Sequence, residues 1–132
     1  MPEKKTLERA RRDKRQGKAA STQAGEFVRE EIEHVREGKH GARSTKQAIA
    51  IGLSKARRAG VKLRPPRKGK TSASTRRRAQ RDYARGQRGS ARTPSARRSR
   101  GSMRALKREG KAAASRRALS RQAKQAARRR AA

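Results

Sequence analysis

The chain has 132 residues and carries 42 Lys and Arg against 10 Asp and Glu, a formal net charge of +32. Only 30% of its residues are apolar, the aromatic residues are one Phe and one Tyr, and Cys is absent. This composition excludes disulfides and thiolate metal sites, and it leaves too few large side chains to order the whole chain or to line a catalytic pocket. We therefore expect a non-enzymatic protein that needs no cofactor and no small-molecule substrate.

Charge divides the chain into two parts. Residues 1–60 carry 16 basic and 8 acidic side chains, whereas residues 61–132 carry 26 basic and 2 acidic ones. The boundary lies at 61–70, where Pro65, Pro66 and Gly69 prevent a continuous helix. We predict an all-α, partly disordered protein. It has a basic N-terminal arm over 1–21, a helical hairpin over 22–60, and a long Arg/Ala-rich tail over 61–132 that is disordered or conditionally helical.

The first two helical patterns lie before Gly38. One runs from Lys4 to Gln16, is polar all round, and is expected to be marginal on its own. The next begins near Ser21 or Thr22, and its apolar residues repeat with helical spacing. Its opposite side carries an acidic stripe that we expect either to hold basic segments or to face solvent: Glu26, Glu30, Glu33 and Glu37.

A third helix has the clearest start. Ser44 followed by Gln47 fits a capping box, and Gly60 follows the last periodic residue. The short link at 38–41 predicts a hairpin between the second and third helices, through which the chain could dimerise. The candidate core of this hairpin contains the large apolar residues Phe27, Val28, Ile32, Val35, Ile49, Ile51 and Leu53.

The tail contains two Ala/Arg-rich stretches, 75–85 and 115–130, that could be helical. Like charges at i, i+4 oppose helix formation in water, and phosphate would remove that opposition. A repeat links the two ends of the chain, because residues 14–21 (KRQGKAAS) are nearly reproduced at 107–115 (KREGKAAAS).

Basic doublets and triplets recur along the chain, and at this density they predict a polyanionic partner. Thirty-two charges match at most about 54 Å of duplex DNA, roughly 16 base pairs. The candidate nucleic-acid-binding residues are Arg11, Arg12, Lys14, Arg15, Lys46, Lys55, Arg57, Arg58, Arg67, Lys68, Arg76, Arg77, Arg78, Arg97, Arg98, Arg116, Arg117, Arg128, Arg129 and Arg130.

Duplex DNA, bound without base specificity, is the partner that this pattern favours. The acidic stripe argues against a helix-turn-helix that reads bases, since phosphate would repel it. RNA or the ribosome is the main alternative, because Arg also stacks on RNA bases. A membrane surface would need more apolar residues on the basic helices, and no apolar run is long enough for a signal or a membrane span.

The two histidines give no metal-binding pattern. His34 and His40 lie near several Glu residues, but their spacing matches no common metal motif, and a charge of +32 repels cations. We therefore predict no metal site.

Residues 26–60, with HGARSTKQAIAIGLSKARRAG at 40–60, resemble a family of small, highly basic bacterial proteins of unknown function, sometimes labelled DNA-binding. The resemblance extends to ALSRQA at 118–123. It implies a cytoplasmic, histone-like protein of the bacterial nucleoid and brings no established activity.

Overall fold

The structure, a computed structural model, describes residues 2–89 and 95–131. Over these residues it is all-helical, as the sequence predicts. The helices are α1 (Lys4–Arg15), α2 (Ala20–Arg36), α3 (Thr45–Arg58), α4 (Ala73–Arg88), α5 (Ala96–Lys107) and α6 (Arg116–Ala131), with a short 3₁₀ helix at Ala112–Ala114.

The chain forms two compact units, and each contains two segments of sequence. The first unit comprises Met1–Glu30 and Ile51–Thr93, and the second comprises Glu31–Ala50 and Pro94–Ala132. Helices α2 and α3 each contribute residues to both units. These divisions differ from the predicted segments 1–21, 22–60 and 61–132, which followed charge and proline content along the chain.

Local signals determine the ends of the first three helices. Gly17 and Gly38 follow α1 and α2 with positive φ values of 73° and 77°, a conformation that glycine adopts without strain. At the start of α3 the Ser44 hydroxyl accepts the Gln47 amide at 3.1 Å, and Gln47 Oε1 accepts the Arg43 amide at 2.6 Å. The predicted cap therefore forms. The Gln47 side chain accepts the amide of Arg43, one residue before the amide that the usual capping box uses.

The core of the first unit is built mainly from small side chains. Its buried members are Ala10, Ala24, Phe27, Ala56 and Val61, with Leu7, Ala20, Leu53 and Leu63 packed around them. At Gly52 the backbones come especially close, because a Cβ there would lie 2.6 Å from Val28 Cα. Close backbone approach therefore replaces part of the contact that large apolar residues supply in other cores.

Helix α1 packs through a polar face, although its sequence is polar all round. Thr6, Ala10 and Asp13 are buried on this face at i, i+4 and i+7. The Glu30 carboxylate accepts the Glu3 amide at 2.5 Å and the Thr6 hydroxyl at 3.3 Å. A carboxylate from α2 thus binds the positive N-terminal end of α1, which stabilises a helix that would be marginal alone.

Helix α4 packs on α3 through its small and acidic residues. Asp82 Oδ2 accepts the Ser54 hydroxyl at 2.6 Å, and Ala79 on the same face of α4 is buried. Gly86 lies so close to the Arg57 carbonyl that a Cβ would overlap it. This contact requires glycine because any side chain would displace the α3 backbone.

In the second unit, the loop after α2 bonds to the last turn of α5 and to the segment that links α5 and α6. The Gly41 amide donates to the Leu106 carbonyl at 2.8 Å and the Ala42 amide to the Gly110 carbonyl at 3.1 Å. The Thr45 hydroxyl also donates to the Ala113 carbonyl at 2.5 Å. Around these bonds lies a second small core of Val35, Ala42, Ala48, Ala113 and Ala114, with Ile32 against it.

The tail is more helical than the sequence predicts. Helices α4 and α6 extend the two stretches considered above, and α5 has no counterpart in that prediction. The Ser95 hydroxyl caps α5 by accepting the Arg98 amide at 3.2 Å. Over the described residues the structure shows neither a disordered tail nor a hairpin that continues into a disordered tail. Packing contacts and helix caps supply the helix stability that the local sequence lacks.

We expect Gly86→Ala to lower the free energy of unfolding by about 1–3 kcal/mol, since the added methyl group overlaps the Arg57 carbonyl. The matched control is Gly101→Ala within α5, where a Cβ meets nothing within 4 Å. This control should gain about 0.5–1 kcal/mol from helix propensity. Urea unfolding followed by circular dichroism measures both, and equal effects of the two substitutions would contradict the close contact.

Candidate nucleic-acid interface

The packing of α4 determines which of its residues face solvent. Ala79, Asp82 and Gly86 repeat at i, i+3 and i+7 and are buried or half-buried. Because a helix has 3.6 residues per turn, Arg77, Arg81 and Arg88, each two residues from one of these, point to the opposite side, and Arg85 lies one turn after Arg81. That side carries four exposed arginines, which we name the α4 stripe: Arg77, Arg81, Arg85 and Arg88.

The α4 stripe lines a shallow groove together with Gln80 and Ala84. Its four arginines lie within the twelve residues 77–88, about 16 Å along the helix axis. The one acidic residue of α4, Asp82, is on the packed side and is bonded to Ser54. The exposed face of the helix therefore presents only cationic and neutral side chains.

Helix α6 repeats this arrangement in the second unit. Its half-buried residues, Ala118, Leu119, Gln122 and Ala126, share one side. The other side presents the α6 stripe: Arg117, Arg121, Lys124 and Arg128. Three of these residues line a second shallow groove with Ser120. Each unit thus carries its own exposed basic helix face.

The structure exposes most of the basic residues that the sequence nominated. Lys55 and Arg76 are half-buried, and the Arg76 guanidinium donates to the Pro66 carbonyl at 3.2 Å. The exposed ones are Arg11, Arg12, Lys14, Arg15, Lys46, Arg58, Arg67, Lys68, Arg77, Arg78, Arg97, Arg98, Arg116, Arg117, Arg128, Arg129 and Arg130.

Arg57 is the exception, because its side chain serves the fold. The residue is 8% exposed, and its guanidinium donates to the Leu63 carbonyl at 3.1 Å and the Arg64 carbonyl at 3.4 Å. Burial lowers the pKa of Arg57, and the nearby Asp82 carboxylate partly offsets this effect. We therefore remove Arg57 from the candidate interface, since its donors hold the chain that leaves α3.

Several residues of the two stripes are missing from the residues predicted from sequence, because that prediction rested on adjacent basic residues. Arg81, Arg85, Arg88, Arg121 and Lys124 stand singly in the sequence. Their signal is spacing: basic residues recur at i, i+4, i+8 and i+11 in α4 and at i, i+4, i+7 and i+11 in α6. Helical periodicity therefore identifies these exposed stripes, whereas charge density along the chain does not.

The structure also groups three side chains for which the sequence predicted no shared role. One ligand atom from each of Glu31, His34 and His40 lies within 4.8 Å of the other two. These residues are at the C-terminal end of α2 and in the loop that follows it. They form the only grouping of potential metal ligands that lies within one unit of the described chain.

Two glutamates of the predicted acidic stripe have different surroundings. Glu30 is buried and binds the start of α1, whereas Glu37 is exposed and pairs with Lys39 at 3.3 Å. Neither contact holds one of the basic doublets, so the prediction that the stripe clamps basic segments has no support at these two residues.

Together these features define an all-helical polycation in which the packed helices turn cationic faces to solvent. The sequence profile of DUF6496, described as a family of unknown function, matches residues 3–69, half of the chain, and the chain therefore belongs to this family. The match ends before α4, so the tail resemblance at 118–123 lies outside it. No curated protein and no solved structure matches the chain. Within residues 2–89 and 95–131, every helix is too short or too polar to cross a membrane.

Arg57 and Arg58 are adjacent, and we expect opposite consequences when each is replaced by Ala. Arg57→Ala removes a charged donor from two carbonyl groups and should lower the free energy of unfolding by about 1.5–3 kcal/mol. Arg58→Ala should change stability by less than about 1 kcal/mol but reduce the salt dependence of DNA binding. Urea unfolding and fluorescence anisotropy with labelled DNA measure the two effects. A loss of DNA binding by folded Arg57→Ala as large as that of Arg58→Ala would return Arg57 to the interface.

Proposed function

We propose that this protein binds nucleic acid, DNA foremost, without base specificity, by placing exposed basic helix faces against phosphates. The observation that carries this proposal is the α4 stripe. Four arginines share one side of a helix whose opposite side is packed on α3, and all four are exposed. Such a face is fixed in orientation before a partner arrives, which reduces the entropy lost on binding.

The electrostatics of the stripe favour a polyanion. Arginines at i, i+4 repel one another in water, so this spacing opposes the helix that carries it. A phosphate between two guanidinium groups changes that repulsion into attraction, and each phosphate that is neutralised releases condensed counterions. Arginine also makes planar, bidentate contacts with phosphate, and residues 61–132 contain 20 Arg against 6 Lys.

Two features favour binding without base readout. The stripes offer mainly Arg and Lys, which contact phosphate regardless of sequence. Aromatic platforms for single strands are also missing from the described surface, since Phe27 is buried and Tyr83 is half-buried. The duplex backbone is therefore the favoured target.

We also propose that the protein compacts DNA. Because each unit presents a basic face, one chain offers two phosphate-binding surfaces, the minimum needed to bridge two segments of duplex. A protein of this kind would act as a histone-like component of the bacterial nucleoid. We further propose that the hairpin of α2 and α3 organises the chain, and that the tail helices gain stability on contact with phosphate.

Salt titration with duplex DNA and structured RNA of equal length tests the choice of partner. We expect DNA to bind at least as tightly as RNA, with little preference among DNA sequences. Its affinity should fall by about 10³-fold or more from roughly 50 to 200 mM salt, as expected for six or more phosphate contacts. Tighter RNA binding at physiological salt would assign the protein to RNA or the ribosome. A shallow salt dependence for both would reject the mechanism.

Replacing all four arginines of the α4 stripe with Gln tests the interface itself. We expect the slope of log K against log salt to become shallower by about 3 to 4, because each phosphate contact contributes about 0.9. Helix content should hold, since Gln is a good helix former and the like-charge repulsion is removed. The control is the same set changed to Lys, which keeps the charge and should keep the slope. An unchanged slope in the Gln variant would place the interface elsewhere.

A further inference from the structure

His40 lies in a buried polar contact with Glu31. Its Nδ1 is 2.9 Å from the Gly41 carbonyl oxygen, and its Nε2 is 3.2 Å from Glu31 Oε2. The side chains of His40 and Glu31 are 4% and 1% exposed. A carbonyl oxygen only accepts hydrogen bonds, so Nδ1 must carry the proton. In a neutral imidazole Nε2 then has a lone pair, and it faces a carboxylate oxygen, which is also an acceptor.

Two buried acceptors at this distance repel each other unless a proton or a metal ion lies between them. A metal ion would take more ligands than this pair, and His34 supplies a further nitrogen close to both. His34 precedes His40 by six residues, and the two rings have centroids 5.9 Å apart at an interplanar angle of 84°.

The local backbone explains why the three side chains meet. Glu31 and His34 are at i, i+3 on α2, so they project from the same side of the helix. Gly38, with a φ of +77°, ends the helix and reverses the chain, which returns His40 toward that side. The Gly41 amide is bonded to the Leu106 carbonyl at 2.8 Å, so the loop that carries His40 is held in place.

We propose that Glu31, His34 and His40 bind a divalent transition-metal ion such as Zn²⁺. Two imidazole nitrogens and one carboxylate oxygen are a common zinc donor set, with water in the fourth position. Metal–ligand bonds of about 2.0–2.2 Å in tetrahedral geometry place neighbouring ligand atoms roughly 3.3–3.5 Å apart, close to the observed Nε2–Oε2 distance of 3.2 Å. The bond from Nδ1 to the Gly41 carbonyl matches the outer-shell contact that orients metal-bound histidines.

The net charge of the chain weakens this site without excluding it. Residues 31–40 contain three Glu against one Arg and one Lys, so the segment is locally negative with both histidines neutral. The buried Glu31 carboxylate is the nearest charge to the proposed ion, and a low-dielectric surrounding strengthens its attraction. Most of the chain's positive charge acts on the site from a distance and is screened by water, whereas the binding energy depends mainly on the groups within a few ångströms of the ion.

Titration of the chelator-treated full chain with Co²⁺ and then Zn²⁺ tests the site. We expect one Co²⁺ per chain, with the visible absorption of a low-coordinate nitrogen and oxygen site, and displacement by Zn²⁺. Zn²⁺ should also raise the midpoint of thermal unfolding, because it binds only the folded arrangement. His34→Gln changes a half-buried ligand and should weaken Co²⁺ binding by more than about tenfold, the smallest effect usual for outer-shell groups.

Glu37→Gln is the matched control, since Glu37 is exposed and outside the trio, and it should leave Co²⁺ affinity within about twofold of the original chain. Equal losses in Glu37→Gln and His34→Gln would overturn the site in favour of diffuse attraction. Absence of the Co²⁺ absorption, with both His40 nitrogens protonated by ¹⁵N NMR in the metal-free chain, would also overturn it. In that case the contact is an imidazolium–carboxylate ion pair.

Discussion

Mutual repulsion among 42 Lys and Arg side chains, with only 10 acidic side chains to offset it, constrains every helix contact in this protein. The packed helices separate their residues accordingly. Helix α4 packs through Ala79, Asp82 and Gly86 and turns its arginines outward, and α1 buries Thr6, Ala10 and Asp13. Cations on the outer faces interact through water, where the repulsion is weak and screened by salt, so the fold can tolerate the charge.

Because the chain has few large apolar residues, backbone contacts carry much of the packing. Glycine allows the closest approaches, at Gly52 against α2, at Gly86 against α3, and at Gly41 against the Glu109 carbonyl. Side-chain donors then bind carbonyl groups at these crossings, as Arg57 does for Leu63 and Thr45 for Ala113. Such contacts add dispersion and hydrogen bonds at short range to the apolar area that these small cores bury.

The same arrangement connects fold and proposed function. Packing places many of the small and acidic residues inside, so the outer faces are strongly cationic. A bound polyanion would relieve the remaining repulsion on those faces, so the proposed binding and helix stability would support each other. The group around His40 is a local reversal of this pattern, where a buried carboxylate faces an imidazole nitrogen, and it is there that we propose a bound metal ion.

Local sequence determined the parts of the structure that depend on neighbouring residues. The ends of α1, α2 and α3 follow from glycines and from the Ser44 cap, and net charge alone predicted the class of partner that we propose.

Tertiary structure decided what depends on residues far apart in sequence. It stabilised α4 through contacts with Ser54 and the Arg57 carbonyl, which lie some 28 residues earlier. It also separated Arg57 from Arg58, which look equivalent in sequence, because the Arg57 guanidinium is buried against carbonyl groups of the chain after α3, whereas Arg58 is exposed and donates to the Ser54 carbonyl of its own helix at 3.4 Å. Such differences arise from packing across the fold, and no pattern within one helix encodes them.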